Sequence, residues 1–254
     1  LYPNPGDADY NDFVVNFRIL EKYNANDQLE TITMDFVPTA RGAGYNHEFM
    51  LSLDGMIDSS RNITTNTAAV FGADAEISAT YTRLDSGQSH TRYFDVGEDI
   101  TVFSNTRAAS GAGFFNVYPD SEVEFPRWMT QINVSLNADS ETLSSGLMSG
   151  DFNYRPYLHV MNTGQDIDIH EINPLDNMID ENGYPFGLLV PSDWQWPAEK
   201  QSIDNLYPHF ADYRNWLSGE APTLSDMAKH WYNYPAAGME DQLIQVDLST
   251  LNIP

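Results

Sequence analysis

Cysteine is absent from this chain of 254 residues. That absence removes disulfide frameworks, thiolate zinc sites and cysteine nucleophiles together. Basic residues are scarce: 12 Lys and Arg stand against 37 Asp and Glu, a formal charge of −25. Nucleic acid is excluded as a partner because phosphate binding needs a basic footprint. A generic anionic membrane surface is excluded for the same reason. Long hydrophobic runs are missing too. The longest strongly apolar one is Phe186-Gly187-Leu188-Leu189-Val190, far short of the roughly 20 residues of a membrane helix, so no membrane insertion is expected. No Gly-x-Ser-x-Gly elbow supports a serine nucleophile. The histidines (His47, His90, His159, His170, His209 and His230) include no helical pair four apart. The sequence has neither a starting Met nor a signal peptide, as expected of a module cut from a larger chain.

What is present is apolar enough to fold. Hydrophobic residues make up 41% and aromatics 13%, more than a disordered chain carries. At this length roughly 70–75% of the surface exposed by the unfolded chain is expected to be buried. So large a negative charge repels itself in the compact state unless ions offset it. Composition alone therefore points to an exported domain of bacterial or marine type that binds calcium.

The first two-thirds read as strands. Phe13, Val15, Phe17 and Ile19 alternate with mostly polar neighbours, and Ile32, Met34 and Phe36 resume the alternation after the turn cluster Asn24–Asp27. Those runs predict a hairpin about ten residues long on each side. Phe49, Leu51 and Leu53 predict a third strand, and further candidates are Ala75–Leu84, Thr91–Val96, Ile100–Ser104, Ile132–Leu136, Tyr157–Met161 and Ile167–Ile172. The last third changes character. Ile203, Leu206, Phe210 and Tyr213 fall on one helical face within Ala198–Leu217, with Pro208 bending or splitting the helix. Thr223–Tyr232 predicts a short second helix, and Leu243–Ile253 a final strand. The fold class expected is mainly β (α+β): an antiparallel β-sandwich with one or two C-terminal helices packed on it, residues 1–254 forming a single domain. The aromatic group Trp194, Trp196, Tyr207, Phe210, Trp216, Trp231 and Tyr232 is read as packing that helix onto the sheet, a sugar-stacking platform being the alternative. Trp216 is expected to be one of its buried members.

Gly6-Asp7-Ala8-Asp9-Tyr10-Asn11-Asp12 is the most informative stretch. Ca²⁺ takes six to eight oxygens at about 2.3–2.6 Å, and Asp7, Asp9, Asn11 and Asp12 are the candidate ligands. Alternate residues of an extended chain lie about 6.5–7 Å apart, too far to share an ion, so the loop must curl. The spacing copies the start of an EF-hand loop, but Asp12 stands where that motif needs Gly and Arg18 where it needs Glu. Remaining ligands would come from backbone carbonyls or a second acidic loop, for which Asp176 and Asp180, with Glu181, are candidates. The smaller cluster Asp151-Phe152-Asn153 offers Asp151 and Asn153 as ligand-binding groups. Arg41-Gly42-Ala43-Gly44-Tyr45 lacks the Lys-Ser/Thr of a phosphate loop and reads as a bulge or sharp connection. Arg41 and Tyr45 are candidates to meet a ligand there, with a structural ion pair the alternative for Arg41.

Three blocks of the chain together resemble the LruC domain family of bacterial secreted and surface proteins. They are Gly6–Val15, then Arg41–Asn46 with Phe49, then Tyr184–Pro191 running on through Asp193-Trp194-Gln195-Trp196-Pro197-Ala198-Glu199-Lys200. Ala211, Trp216, Trp231 and Tyr232 are similar to its closing elements. The resemblance implies an extracytoplasmic, mostly β domain with acidic loops like those of calcium-dependent surface adhesins.

The expected function is therefore a non-enzymatic, calcium-dependent adhesion module of an extracellular or surface-anchored bacterial protein. Its partner would be a glycan or peptide, and the module itself monomeric within a larger chain. A calcium-stiffened structural spacer is the second reading. A carbohydrate-active enzyme using a carboxylate pair is the third, although carboxylates are so abundant here that a pair at glycosidase separation says little without a cleft.

Overall fold

The structure, a computed structural model, describes residues 7–26, 29–53, 56–57, 63–64, 75–136, 154–168 and 179–250. The strands run β1 (Val14–Tyr23), β2 (Leu29–Ala40), β3 (His47–Ser52), β4 (Met56–Ile57), β5 (Ile63–Thr64), β6 (Glu76–Arg83), β7 (Ser89–Phe94), β8 (Ile100–Phe103), β9 (Trp128–Ser135), β10 (Arg155–Val160), β11 (Gln165–Asp168), β12 (Trp196–Pro197) and β13 (Leu243–Ile244). The α-helices are short: α1 (Thr106–Ser110), α2 (Ile203–Leu206), α3 (Phe210–Leu217) and α4 (Asp226–Lys229). A five-stranded sheet in the order β1-β2-β9-β6-β7 and a four-stranded sheet in the order β11-β10-β3-β8 carry the fold. Every pairing within them is antiparallel. The protein is the expected mostly β, antiparallel sandwich with helices towards its C-terminus.

Period-2 patterning explains how the sandwich closes. Ile32, Met34 and Phe36 of β2 point the same way, and register sets Ile32 beside Val134 and Met34 beside Ile132 of β9. The same two β9 residues face Ile77 and Ala79 of β6 on the other side. These rows are buried and meet Phe49, Leu51, Ile100 and Val102 of the second sheet. Phe36 packs edge-on against Phe49 across the gap, with centroids 5.9 Å apart. On the outer face, Asp35 is nonetheless buried. It accepts from Arg18 at 2.7 Å and from Gln131 at 2.8 Å, a polar row along β1, β2 and β9.

A second core forms where the chain leaves strand periodicity. Trp194, Trp196, Ile203, Leu206, Tyr207, Phe210 and Trp231 are buried together, with Ala40 and Val117 reaching in from the sandwich side. The expected helix over 198–217 is split as Pro208 requires. α2 ends at Leu206, and Tyr207 takes φ −130° and ψ 85°, the extended bias a following proline imposes. The expected helix over 223–232 shrinks to α4, capped by the Ser225 side chain accepting from Ala228 N, and a 3₁₀ turn over Trp231–Asn233. Of the expected final strand Leu243–Ile244 forms, paired with β12, and a 3₁₀ turn follows over Leu248–Thr250, residues 251–253 lying outside the described residues. The strand expected over 167–172 is β11 up to Asp168, its remainder lying outside the described residues. Helix α1 has no counterpart in the sequence reading, because five residues are too few to show a period. It is fixed by the Asn105 side chain accepting from Ala108 N at 3.0 Å.

Trp216 departs from expectation. It is half-buried and lies in tilted contact with Tyr213, whereas Trp231 is buried at 2% exposure among the rings of Trp194, Tyr207, Phe210 and Tyr213. Phe210 and Leu217 lie one heptad apart on the buried face of α3, and Trp216 lies about 100° off Leu217 around the helix. Trp231→Ala should therefore cost roughly 3–5 kcal/mol, the usual loss for a buried large aromatic. Trp216→Ala should cost about 1–2 kcal/mol. Denaturant unfolding of both variants checks the ranking, which an equal or larger loss at Trp216 would reverse.

Candidate metal centre

The acidic loop leads into β1 between the two cores. Phe13 and Val15 pack towards the sandwich core, Tyr10 and Val14 towards the second. The loop curls as its spacing demands: Ala8 and Tyr10 adopt the left-handed region at φ 57° and φ 54°. Such a conformation costs a residue with a Cβ on the order of 1–3 kcal/mol and persists only where surroundings hold it. Five bonds do so. Ile203 N donates to Ala8 O at 2.9 Å, Lys200 N to Asp9 Oδ2 at 2.9 Å and Gly42 N to Asn11 O at 2.8 Å. Asn11 Nδ2 donates to Pro197 O at 3.1 Å and the Tyr10 hydroxyl to Pro185 O at 2.7 Å. Lys200, at the far side of this seam, is also left-handed at φ 65°.

These ties bring oxygen atoms from distant segments into one place. Carboxylate oxygens of Asp7, Asp9 and Glu199 lie within 4.8 Å of one another. Asn11 is fully buried, and its Oδ1 has no donor among the described residues. Glu199 Oε2 is likewise enclosed without a donor. Both atoms converge on Gly42, where a Cβ would stand 2.3 Å from Asn11 Oδ1 and 2.7 Å from Glu199 Oε2. Buried acceptors are nearly always partnered, and these two stand side by side at Gly42, next to the clustered carboxylates, with no donor among the described residues. An all-oxygen set mixing carboxylates with one neutral amide carbonyl suits a hard ion such as Ca²⁺.

Electrostatics agree. Burial, then the neighbouring acids Asp7, Asp12 and Glu199, push the Asp9 carboxyl from 3.8 up to about 7 against the opposing Lys200 N–H. Glu199 is raised by desolvation and then by Asp7 and Asp12. Asp12 is raised by the protein packed around it and by Asp7, although its surface stays open to solvent, while Arg41 pulls the other way. Without a cation the Asp9 carboxyl holds, below about pH 7, a proton that the unfolded chain releases above its ordinary 3.8.

Of the sequence candidates, Asp7 and Asp9 join Glu199 directly, Asn11 aims its Oδ1 at the same place, and Asp12 lies beside them. Asp180 does not join. Its Oδ1 accepts from Asn182 N at 2.8 Å and Tyr184 N at 2.9 Å, so it closes its own turn. Asp176, Asp151 and Asn153 lie outside the described residues. Arg41 is not a ligand-facing group and makes no salt bridge among the described residues. It is fully buried, and its guanidinium donates to Thr106 Oγ1 at 3.1 Å, Ala43 O at 2.7 Å, Gly113 O at 2.6 Å and the carbonyl of Tyr45. Desolvation and then Arg107 lower it to about 10. Tyr45 serves that bond through its backbone. The glycine-rich stretch is the sharp connection expected, between β2 and β3, held by mutual backbone bonds of Arg41 and Phe115 at 2.7 and 2.8 Å. Buried His47 is pushed down to about 4 by desolvation and then by Arg41, which keeps it neutral.

Comparison with known proteins places the chain in a family. The profile described as "Domain of unknown function (DUF4842)" matches residues 27–232, and the chain belongs to that family. Gly42 and Glu199 fall inside the matched stretch, while Asp7, Asp9 and Asn11 precede it. No curated protein matches. A solved structure described as a "putative lipoprotein" from Bacteroides ovatus has a similar fold, with TM-score 0.55 and 11% identity over 94% of this chain and 71% of that one.

The cradle makes Gly42→Ala a sharp probe. Its methyl group would occupy the space both acceptors face, so calcium binding followed by calorimetry should be largely lost while the circular dichroism of the sandwich persists. Undiminished affinity would move the ion elsewhere. The pH dependence has a definite sign. An acid whose folded pKa is raised stabilises fully below the unfolded value of 3.8, and this contribution is lost as pH rises through about 7. In chelator, the melting midpoint should be lower at about pH 8 than at about pH 5, and Asp9→Asn should narrow that difference.

Proposed function

We propose that this chain is a non-enzymatic, calcium-dependent binding module of the adhesion type, carried on a secreted or surface-anchored bacterial protein. The observation that carries this reading is the pair of buried acceptors, Asn11 Oδ1 and Glu199 Oε2, that meet at Gly42 beside the gathered acidic oxygens with no donor among the described residues. Among the described residues no helix is long and apolar enough to cross a membrane. The similarity to a protein described as a lipoprotein and the LruC-like blocks support a place outside the cytoplasm. The charge of −25 favours a cation-rich setting.

A catalytic role fits these carboxylates less well. Glycosidases use two carboxyls flanking a sugar bond, whereas here three carboxylates gather at one spot with an oxygen of each within 4.8 Å of the others. The structural-spacer reading keeps one specific support: the ion would tie the N-terminal loop to Glu199, whose neighbour Lys200 is already bonded to Asp9, 191 residues away. In either case calcium should stabilise the fold. An ion bound only by the folded state at a thousand times Kd contributes about 4 kcal/mol. For a domain of this size that raises the melting midpoint by roughly 8–16 °C. Mg²⁺ should substitute poorly because it demands tighter octahedral geometry. Thermal unfolding in EGTA, in millimolar Ca²⁺ and in millimolar Mg²⁺ at matched ionic strength checks this, and equal midpoints would defeat the reading. Calcium-dependent retention on an immobilised glycan or peptide separates adhesion from a spacer.

A further inference from the structure

We propose that the loop bearing Phe114 and Tyr118 is the ligand-facing rim of the cation site, and that the rim and ion together bind a neutral glycan. This rests on the calcium reading above and gives it a ligand class. The segment Phe115-Asn116-Val117 is buried and fastened at both ends to residues flanking the acidic cluster. Phe115 exchanges backbone bonds with Arg41, next to Gly42, and Val117 O accepts from Glu199 N at 2.8 Å. Between them, left-handed Asn116 at φ 51° ties together three separate stretches of chain. Its side chain donates to Thr39 O at 3.0 Å and Glu124 O at 2.8 Å, and its carbonyl accepts from Trp196 Nε1 at 2.9 Å. The residues at either end of this rigid piece do the opposite of packing. Phe114 is 47% and Tyr118 48% exposed, and their rings lie close to parallel, 29° apart with centroids 6.2 Å apart. Phe125, on the return of the same loop, is exposed as well.

Exposed aromatics on a braced backbone mark an interaction surface. Chemistry selects its occupant. Paired ring faces suit the apolar C–H face of a pyranose, and a hard cation accepts hydroxyl oxygens in its open positions. The same loop exposes Asp120, Glu122 and Glu124, which accept from hydroxyls and repel an anionic ligand on a chain already at −25. A basic peptide is the competing occupant that these carboxylates would attract, and oligolysine stands for it in the test.

The test applies calcium-loaded protein to an array of neutral gluco-, galacto- and manno-oligosaccharides, with immobilised oligolysine beside it. The parent, Phe114→Ala, Tyr118→Ala and the double variant are compared, each also in EGTA. Retention on neutral glycans is expected, lost in EGTA and weakened by about tenfold for each ring removed. The calcium-induced melting shift should be unchanged in the ring variants. Calcium binding with no glycan retention, retention indifferent to the rings or to EGTA, or retention on oligolysine alone would overturn the glycan assignment while leaving the calcium site standing. Absence of any calcium-induced shift in the parent would overturn the underlying calcium reading instead.

Discussion

Oxygen atoms that repel one another are held together at the seam between the sandwich and the C-terminal segment, and the arrangement around them depends on how that repulsion is met. Asn11 is the centre of the problem. Its amide nitrogen is fastened to Pro197 O and its backbone carbonyl to Gly42 N, so the side-chain carbonyl has nowhere to turn. A buried acceptor left bare costs on the order of 1–3 kcal/mol, and here it faces carboxylates that are themselves raised by burial. Protons relieve part of that cost, and a cation relieves it more completely. The left-handed conformations of Ala8, Tyr10 and Lys200 are the backbone distortion needed to bring the oxygens together.

The two cores give this seam its rigidity. Tyr10 lies edge-on to Phe210, with centroids 5.7 Å apart, while Phe13, three residues on, packs on Phe49 and Phe103 of the sandwich. A loop gripped by an aromatic on each side cannot relax by swinging away. On the other flank, Tyr184 and Arg214 converge on Asp204, with the guanidinium 4.1 Å above the tyrosine ring. Asp180 closes the turn that carries Tyr184. That network sets the position of Pro185, whose carbonyl receives the Tyr10 hydroxyl. The acidic turn at Asp180 thus serves the site from behind, as support for the loop.

Strands were legible because alternation is local: Ile32, Met34 and Phe36 declare an inward face without reference to any partner. Pro208 was legible for the same reason. The acidic cluster could be read because its oxygen-bearing residues fall within six positions, but Glu199 could not, since its place beside them depends on a contact with residues about 190 positions earlier. Gly42 carries no local mark of its task either. Its lack of a Cβ matters only because Asn11 and Glu199 arrive beside it. Trp216 misled because it was grouped with its aromatic neighbours, whereas the buried face of its helix runs through Phe210 and Leu217. Arg41 misled because a lone arginine in a glycine-rich connection gives no sign that four neutral oxygens will surround it.

The order of strands in the five-stranded sheet has a practical consequence for preparing this domain. β1 is an outer strand, and its whole length covers one flank of β2. The family match begins at residue 27, between those two strands. Expression trimmed to that boundary would strip β1 away, leaving the backbone donors and acceptors of a long, largely apolar β2 uncovered. Such an open ribbon edge is a template for recruiting other chains. Trimming at residue 232 would also remove β13, the partner of β12. The evolutionary boundary is therefore narrower than the set of strands that pair with one another, and aggregation of the shorter piece would report a missing strand rather than an unstable fold.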